Sequence, residues 1–250
     1  MSITRTYRDG DKFIKMFLSE DFEYLENSYK SQKFVYDAGL PVPAVYGIIK
    51  VNDTEYAIEM EYIEGKSLSE MYNSDSESER DEALRIMVKL QCQMIDIDAS
   101  GQPPLTDYFK QEITATQYLT AEEKQTLLAL MHSFDNGKTN LCHGDIHVYN
   151  IMYNGDKHWI IDWEDACKGD PAADACMTYF YLVRNDAKTP SKNAIVASAE
   201  KYLQLFCEKS GITRAEVLVW LPIIVGVQIN INDDDDRKFI RNYFDYQDRT

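Results

Sequence analysis

In the run His143-Gly144-Asp145-Ile146-His147-Val148-Tyr149-Asn150, an aspartate is followed five residues on by an asparagine. Asp162, in Ile160-Ile161-Asp162-Trp163, comes twelve residues after that. An aspartate able to take the proton of an attacking hydroxyl, with an amide and a second carboxylate able to hold Mg²⁺ against phosphates, is the set that phosphoryl transfer requires. Such chemistry depends on positioning and charge neutralisation.

The elements that must carry these residues can be read from the same stretch. Ile151-Met152-Tyr153 reads as a short strand, Asn154-Gly155-Asp156-Lys157 as a hairpin turn, and His158 to Ile161 as the returning strand. Pairing Tyr153 with His158 sets Asn150 opposite Ile161, so Asn150 and Asp162 meet at one edge of a hairpin. Two hard oxygen donors suit Mg²⁺, and Asp145 is left to accept a proton. For any one of these residues the plainer role is to satisfy turn backbone or to cap the following segment. Three in this order between apolar strands favour a site.

The segment resembles the catalytic and metal loops of the aminoglycoside phosphotransferase and choline kinase-like family, in which HGD…N and an I-D-W/F-E signature recur. Gly169-Asp170-Pro171-Ala172-Ala173-Asp174 is similar to the family's continuation. Leu40 to Pro43 and Met60 to Leu68 resemble the segments leading into and across its hinge, so the similarity runs from about Lys15 to Asp174. The resemblance implies an α+β, two-lobed protein-kinase-like fold that uses ATP, with GTP the alternative, and Mg²⁺. Asp145 would then be the base and Asn150 and Asp162 the metal ligands. Met60 would sit behind the adenine, and the backbone of Glu61 to Ile63 would offer it hydrogen bonds. An aminoglycoside-type antibiotic is the leading acceptor, which would make the activity one of antibiotic resistance. Choline, ethanolamine or another metabolite alcohol is the runner-up. A protein acceptor is disfavoured, because no A-P-E-like segment closes an activation loop.

Upstream, Ser2 to Phe17 reads as a hairpin turning at Asp9-Gly10. Alternation puts Phe13, Lys15 and Phe17 on one strand face. Lys15 is similar to the lysine that grips nucleotide phosphates in kinase folds and pairs with a helix glutamate; the plainer reading is a lysine in solvent. Glu20 to Ala38 reads as a helix capped by Ser19, with Phe22, Leu25, Tyr29 and Tyr36 on one stripe. Glu26, at the edge of that stripe, is the candidate partner of Lys15; its rival partner is Lys30, one turn along. Val45 to Lys50 and Glu55 to Glu61 read as two more strands.

The expected organisation is therefore a small antiparallel-sheet N-lobe over residues 1–62 and a mainly helical C-lobe over 63–250. In the latter, Ser74 to Glu79 reads as an exposed loop, and helix begins at Arg80. Thr120-x-x-Glu123 and Thr213-x-x-Glu216 are capping boxes. Asn193 to Lys209 and the apolar run Val217 to Ile231 read as helices. One glycine alone, Gly10, precedes Lys15. The usual Gly-rich loop over the phosphates is thus shortened or replaced, a feature that a nucleotide-binding pseudokinase with little turnover would share.

The 250 residues carry 42 acidic against 26 basic side chains, net −16. That balance argues against nucleic acid or an anionic membrane as partner, and it suits a small cationic acceptor. Five cysteines without a C-x-x-C pair, and no basic-then-apolar leader, point to reduced thiols in a cytoplasmic protein, a monomer or weak dimer. His143 and His147 flank a loop glycine with no glutamate between them, which argues against zinc. Asp233 to Asp236 reads as a solvated helix start or, alternatively, as part of an anionic cleft for ammonium groups; Glu164 and Asp165 share the second option.

Overall fold

The computed structural model describes residues 3–134, 137–187, 192–231 and 233–247. Ser2, the first residue of the expected hairpin, lies outside them. In chain order the elements begin with β1 (Ile3–Asp9), β2 (Lys12–Leu18), α1 (Phe22–Asp37), β3 (Val45–Lys50), β4 (Glu55–Glu61), β5 (Lys66–Ser67) and α2 (Ser69–Tyr72). There follow α3 (Glu77–Met94), α4 (Leu105–Ala115), α5 (Ala121–Phe134), β6 (Asn140–Cys142), β7 (Ile151–Asn154), β8 (Lys157–Ile160) and β9 (Cys167–Gly169). The chain continues through α6 (Pro171–Ala187), α7 (Lys192–Ser210), α8 (Arg214–Leu218), α9 (Leu221–Gln228) and α10 (Asp234–Gln247). The fold class is α+β. It divides into two compact units, Met1–Asp75 with Val148–Ala166, and Ser76–His147 with Cys167–Thr250.

The first unit is built on an antiparallel sheet of order β1-β2-β4-β3. Gly10 makes the β1–β2 turn at φ +63°, a left-handed conformation that glycine adopts without penalty. Alternation along β2 sends Phe17 into a cluster with Leu25 of α1 and Ile58, while Ile14 and Met16 pack with Ala57 on the other face.

The buried face of α1 differs from the expected stripe. Leu25 is sealed, but Phe22 and Tyr36 are exposed, and the helix packs through Ser28, Ser31, Gln32 and Val35. The cause is the chain that follows: Gln32 Nε2 donates to the Pro43 carbonyl at 2.8 Å, so this face must carry polar groups. Ser19 does not cap the helix either. It opens a short 3-10 turn, and its N–H donates to Thr54 O, tying it to the β3–β4 turn.

A second, three-stranded sheet of order β5-β7-β8 completes this unit. Tyr153 pairs with His158 and Ile151 with Ile160, the register expected of the hairpin. Gly65 is required where β5 approaches: a Cβ there would stand 2.5 Å from the Tyr153 carbonyl oxygen. Ile160 N–H donates to Pro41 O at 2.8 Å, tying the hairpin to the segment after α1.

The second unit is mainly helical. α3 starts earlier than expected, because Ser76 Oγ accepts the Glu79 N–H; half of the supposed loop is the helix's first turn. Ala83, Met87, Leu90 and Met94 are buried, as their spacing requires. Both capping boxes form. The run Val217 to Ile231 is not one helix but α8 followed by α9, with Pro222 in the first turn of α9, where its missing N–H is harmless. Asp234 to Asp236 fill the first turn of α10, complementing its dipole. No described helix is long and apolar enough to cross a membrane.

Candidate active site

Within the first unit, the turn back from β8 fixes the acidic residues. Ile161 N–H donates to Asn150 O at 2.9 Å, which brings the backbone of buried Asn150 opposite the residue before Asp162. Asp162 has φ +68°, and among the described residues no other non-glycine shows a positive φ. Aspartate tolerates this conformation better than most residues, yet holding it still costs backbone energy.

Lys15 Nζ lies 3.0 Å from Asp162 Oδ1 and also contacts Glu164 Oε1. The other oxygen of Glu164 accepts the Tyr24 hydroxyl at 2.5 Å. Burial, with Asp165 and Asp162 nearby, pushes the Tyr24 hydroxyl up to about 12, so it remains a donor. Lys15, Met60, Glu61, Ile63 and Asp162 all line one cavity of about 370 Å³. Its floor includes Phe13, on the same strand face as Lys15.

Glu26 is not among these residues, which corrects the expected pairing. It binds Lys30 at 3.1 Å on the half-exposed side of α1. The carboxylates on Lys15 are supplied by Asp162 and Glu164 instead. Glu164, considered from sequence for a cationic acceptor, is thus buried against the lysine and a tyrosine.

In the second unit, Asp145 sits in a loop held by a buried network. Gly144, at φ +83°, donates its N–H to Asp174 Oδ1 at 2.9 Å. Gln91 Nε2 donates to the other Asp174 oxygen at 3.3 Å, and the Tyr202 hydroxyl donates to Gln91 Oε1 at 2.7 Å. Thr178 Oγ1 donates to the Ile146 carbonyl at 2.9 Å. His143, fully buried, accepts the Asp145 N–H on Nδ1 at 3.3 Å, which braces the loop. The Asp145 side chain itself is 54% exposed, with His147 Nε2 3.5 Å from Oδ2. His147 in turn stacks on Tyr181 with ring centroids 4.4 Å apart.

Burial raises the Asp174 carboxyl pKa, against the lowering effect of the Gly144 N–H. A carboxyl raised in the folded state binds protons that the unfolded state has released. Its contribution to stability is therefore full below the ordinary carboxylate range and declines as pH rises through the folded value. Urea unfolding across that window is expected to show this slope in the wild type and to lose it in Asp174→Asn. Asp174→Ala, which strips the acceptor from Gly144 and Gln91, is expected to cost about 2–3 kcal/mol.

The oxygen donors fit Mg²⁺. No group of three or more His, Cys, Asp or Glu converges among the described residues. Mg²⁺ is commonly held by one or two protein oxygens completed by phosphates and water, and Asn150 with Asp162 offers that number. Sequence reasoning did not find Tyr24, Gln91 or Tyr202. The glutamate of the I-D-W-E signature and the last aspartate of Gly169 to Asp174 were visible signals, but Glu164 was weighed only for a cationic acceptor and Asp174 was given no role.

The fold is that of the aminoglycoside phosphotransferases, a protein-kinase-like architecture. APH(3'')-Id from Streptomyces rimosus, solved with ADP and streptomycin, is 16% identical over 88% of this chain and 87% of that one, with a TM-score of 0.62. A thermostable variant of APH(4)-Ia, solved with ADP and hygromycin B, is 14% identical over 98% of this chain and 93% of that one, with a TM-score of 0.64. An aminoglycoside-3'-phosphotransferase of type VIII is 14% identical over 89% and 87%, with a TM-score of 0.62. A search of curated proteins finds no match. Residues 3–205 match the phosphotransferase enzyme family, and the chain belongs to that family. It is a small-molecule kinase.

Proposed function

We propose that the protein transfers the γ-phosphoryl group of ATP, with Mg²⁺, to a hydroxyl of a small cationic acceptor, aminoglycoside-type antibiotics being the favoured class. The observation that carries the nucleotide reading is the single cavity that collects Lys15, Asp162 and the strand end Met60 to Ile63. Glu61 and Tyr62 already donate their N–H groups, to Ala44 O and Asp11 O. The donor assigned to adenine is therefore the Ile63 N–H, with Met60 packed behind the ring. Lys15 steadies the phosphates, and Asn150 and Asp162 hold the metal. Mg²⁺, when bound, neutralises charge developing on the phosphate oxygens. Asp145 orients the attacking hydroxyl and accepts its proton. The cationic acceptor is supported by the net charge of −16 and by relatives of the same fold solved with streptomycin and hygromycin B.

The test is a coupled ADP-release assay with MgATP across aminoglycosides and amino alcohols. Saturable release with an aminoglycoside is the expected result. Release with choline or ethanolamine alone would move the acceptor to the metabolite class. A MgATP-dependent rise in Tm without turnover on any acceptor would leave a nucleotide-binding pseudokinase.

A further inference from the structure

In the proposed nucleotide site, a helix glutamate was expected to brace Lys15, yet Glu26 is turned to Lys30. The helix nevertheless reaches the lysine, by another residue. Tyr24, two positions before Glu26 on α1, donates its hydroxyl to Glu164 Oε2 at 2.5 Å, and Glu164 Oε1 contacts Lys15 Nζ. The same Nζ lies 3.0 Å from Asp162 Oδ1. One oxygen of Glu164 thus accepts the tyrosine hydroxyl while the other makes an ion-pair contact with the lysine, and the two together fix the plane of the carboxylate. The side chains of Lys15 and Glu164 are 12% and 8% exposed, so water competes little for these bonds. The Tyr24 ring is itself held against Phe17, with centroids 6.0 Å apart.

We propose that Tyr24 is a positioning residue of the nucleotide site, holding Glu164 so that Glu164 and Asp162 share Lys15 and the ammonium stays aimed at the phosphates. The inference rests on the reading of this cavity as a nucleotide site. A hydroxyl bonded to a charged group through buried contacts has a measurable effect when removed, and here the loss is expressed through Lys15. Without the tyrosine hydroxyl, Glu164 can rotate, and Lys15 is drawn further onto Asp162, the carboxylate that would hold the metal. The role expected from sequence for a helix glutamate is filled by a tyrosine acting through a carboxylate from the β8 side.

The experiment compares wild type, Tyr24→Phe, Glu164→Gln and the double variant for MgADP binding by calorimetry, with thermal melts alongside. Tyr24→Phe is expected to weaken MgADP about tenfold with little change in Tm, and to add nothing once Glu164 is glutamine. If an acceptor supports turnover, the nucleotide KM rises while the acceptor KM holds. A wild type that binds MgADP while Tyr24→Phe binds equally well overturns the inference and leaves the nucleotide reading intact. An effect of Tyr24→Phe that persists undiminished in the Glu164→Gln background also overturns it, since the tyrosine would then not act through the carboxylate. A wild type that does not bind MgADP sinks the nucleotide reading, and the inference with it.

Discussion

Asp145→Asn is expected to lower kcat by about 10²–10⁴-fold while the nucleotide KM stays near its wild-type value. The substitution keeps shape and removes the proton acceptor. The loop should survive it, because the groups that hold the loop are elsewhere: Gly144 N–H on Asp174, Ile146 O on Thr178, and Asp145's own N–H on His143. None of these uses the Asp145 carboxylate. Retained MgADP affinity with collapsed turnover would place Asp145 at the chemical step. If kcat fell by no more than about threefold, Asp145 would be one more polar loop residue and the assignment of the base would fail.

Asp162→Ala is expected to reduce kcat/KM by about 10³-fold and to move Mg²⁺ activation to higher concentration. Two losses combine. The first is a carboxylate ligand to the metal. The second is positional, since Lys15 would keep only Glu164 as a partner. Asp162→Asn, which retains an oxygen donor and an acceptor for Lys15, should fall between wild type and alanine. Titrating Mg²⁺ in the ADP-release assay separates the outcomes. Alanine and wild type sharing one activation midpoint would remove Asp162 from the metal site.

How far these residues were legible depended on how local their partners are. The hairpin carrying Asn150 and Asp162 was readable because its turn, Asn154-Gly155, fixes register within a few residues. The capping boxes at Thr120 and Thr213 were readable for the same reason. Lys15 could be placed on its strand by alternation alone, but its carboxylate partners could not be found that way. Tyr24 and Glu164 stand 140 residues apart, and no periodicity records such a pairing. The face of α1 was misread because amphipathic spacing assumes an apolar neighbour, whereas the segment ending at Pro43 presents a carbonyl that Gln32 must satisfy. Pro222 lies inside the apolar run read as helix from Val217 to Ile231, and the run divides near it. The Asp174 network joins α3, α6 and α7, so only the assembled helices reveal why that acid is needed.

The left-handed backbone at residue 162 sets durability against output. A glycine there would relieve the backbone strain, so selection for heat resistance alone can favour it, at the cost of the carboxylate that the proposed metal site requires. Any programme to toughen this protein should therefore hold that one position fixed and seek its gains elsewhere.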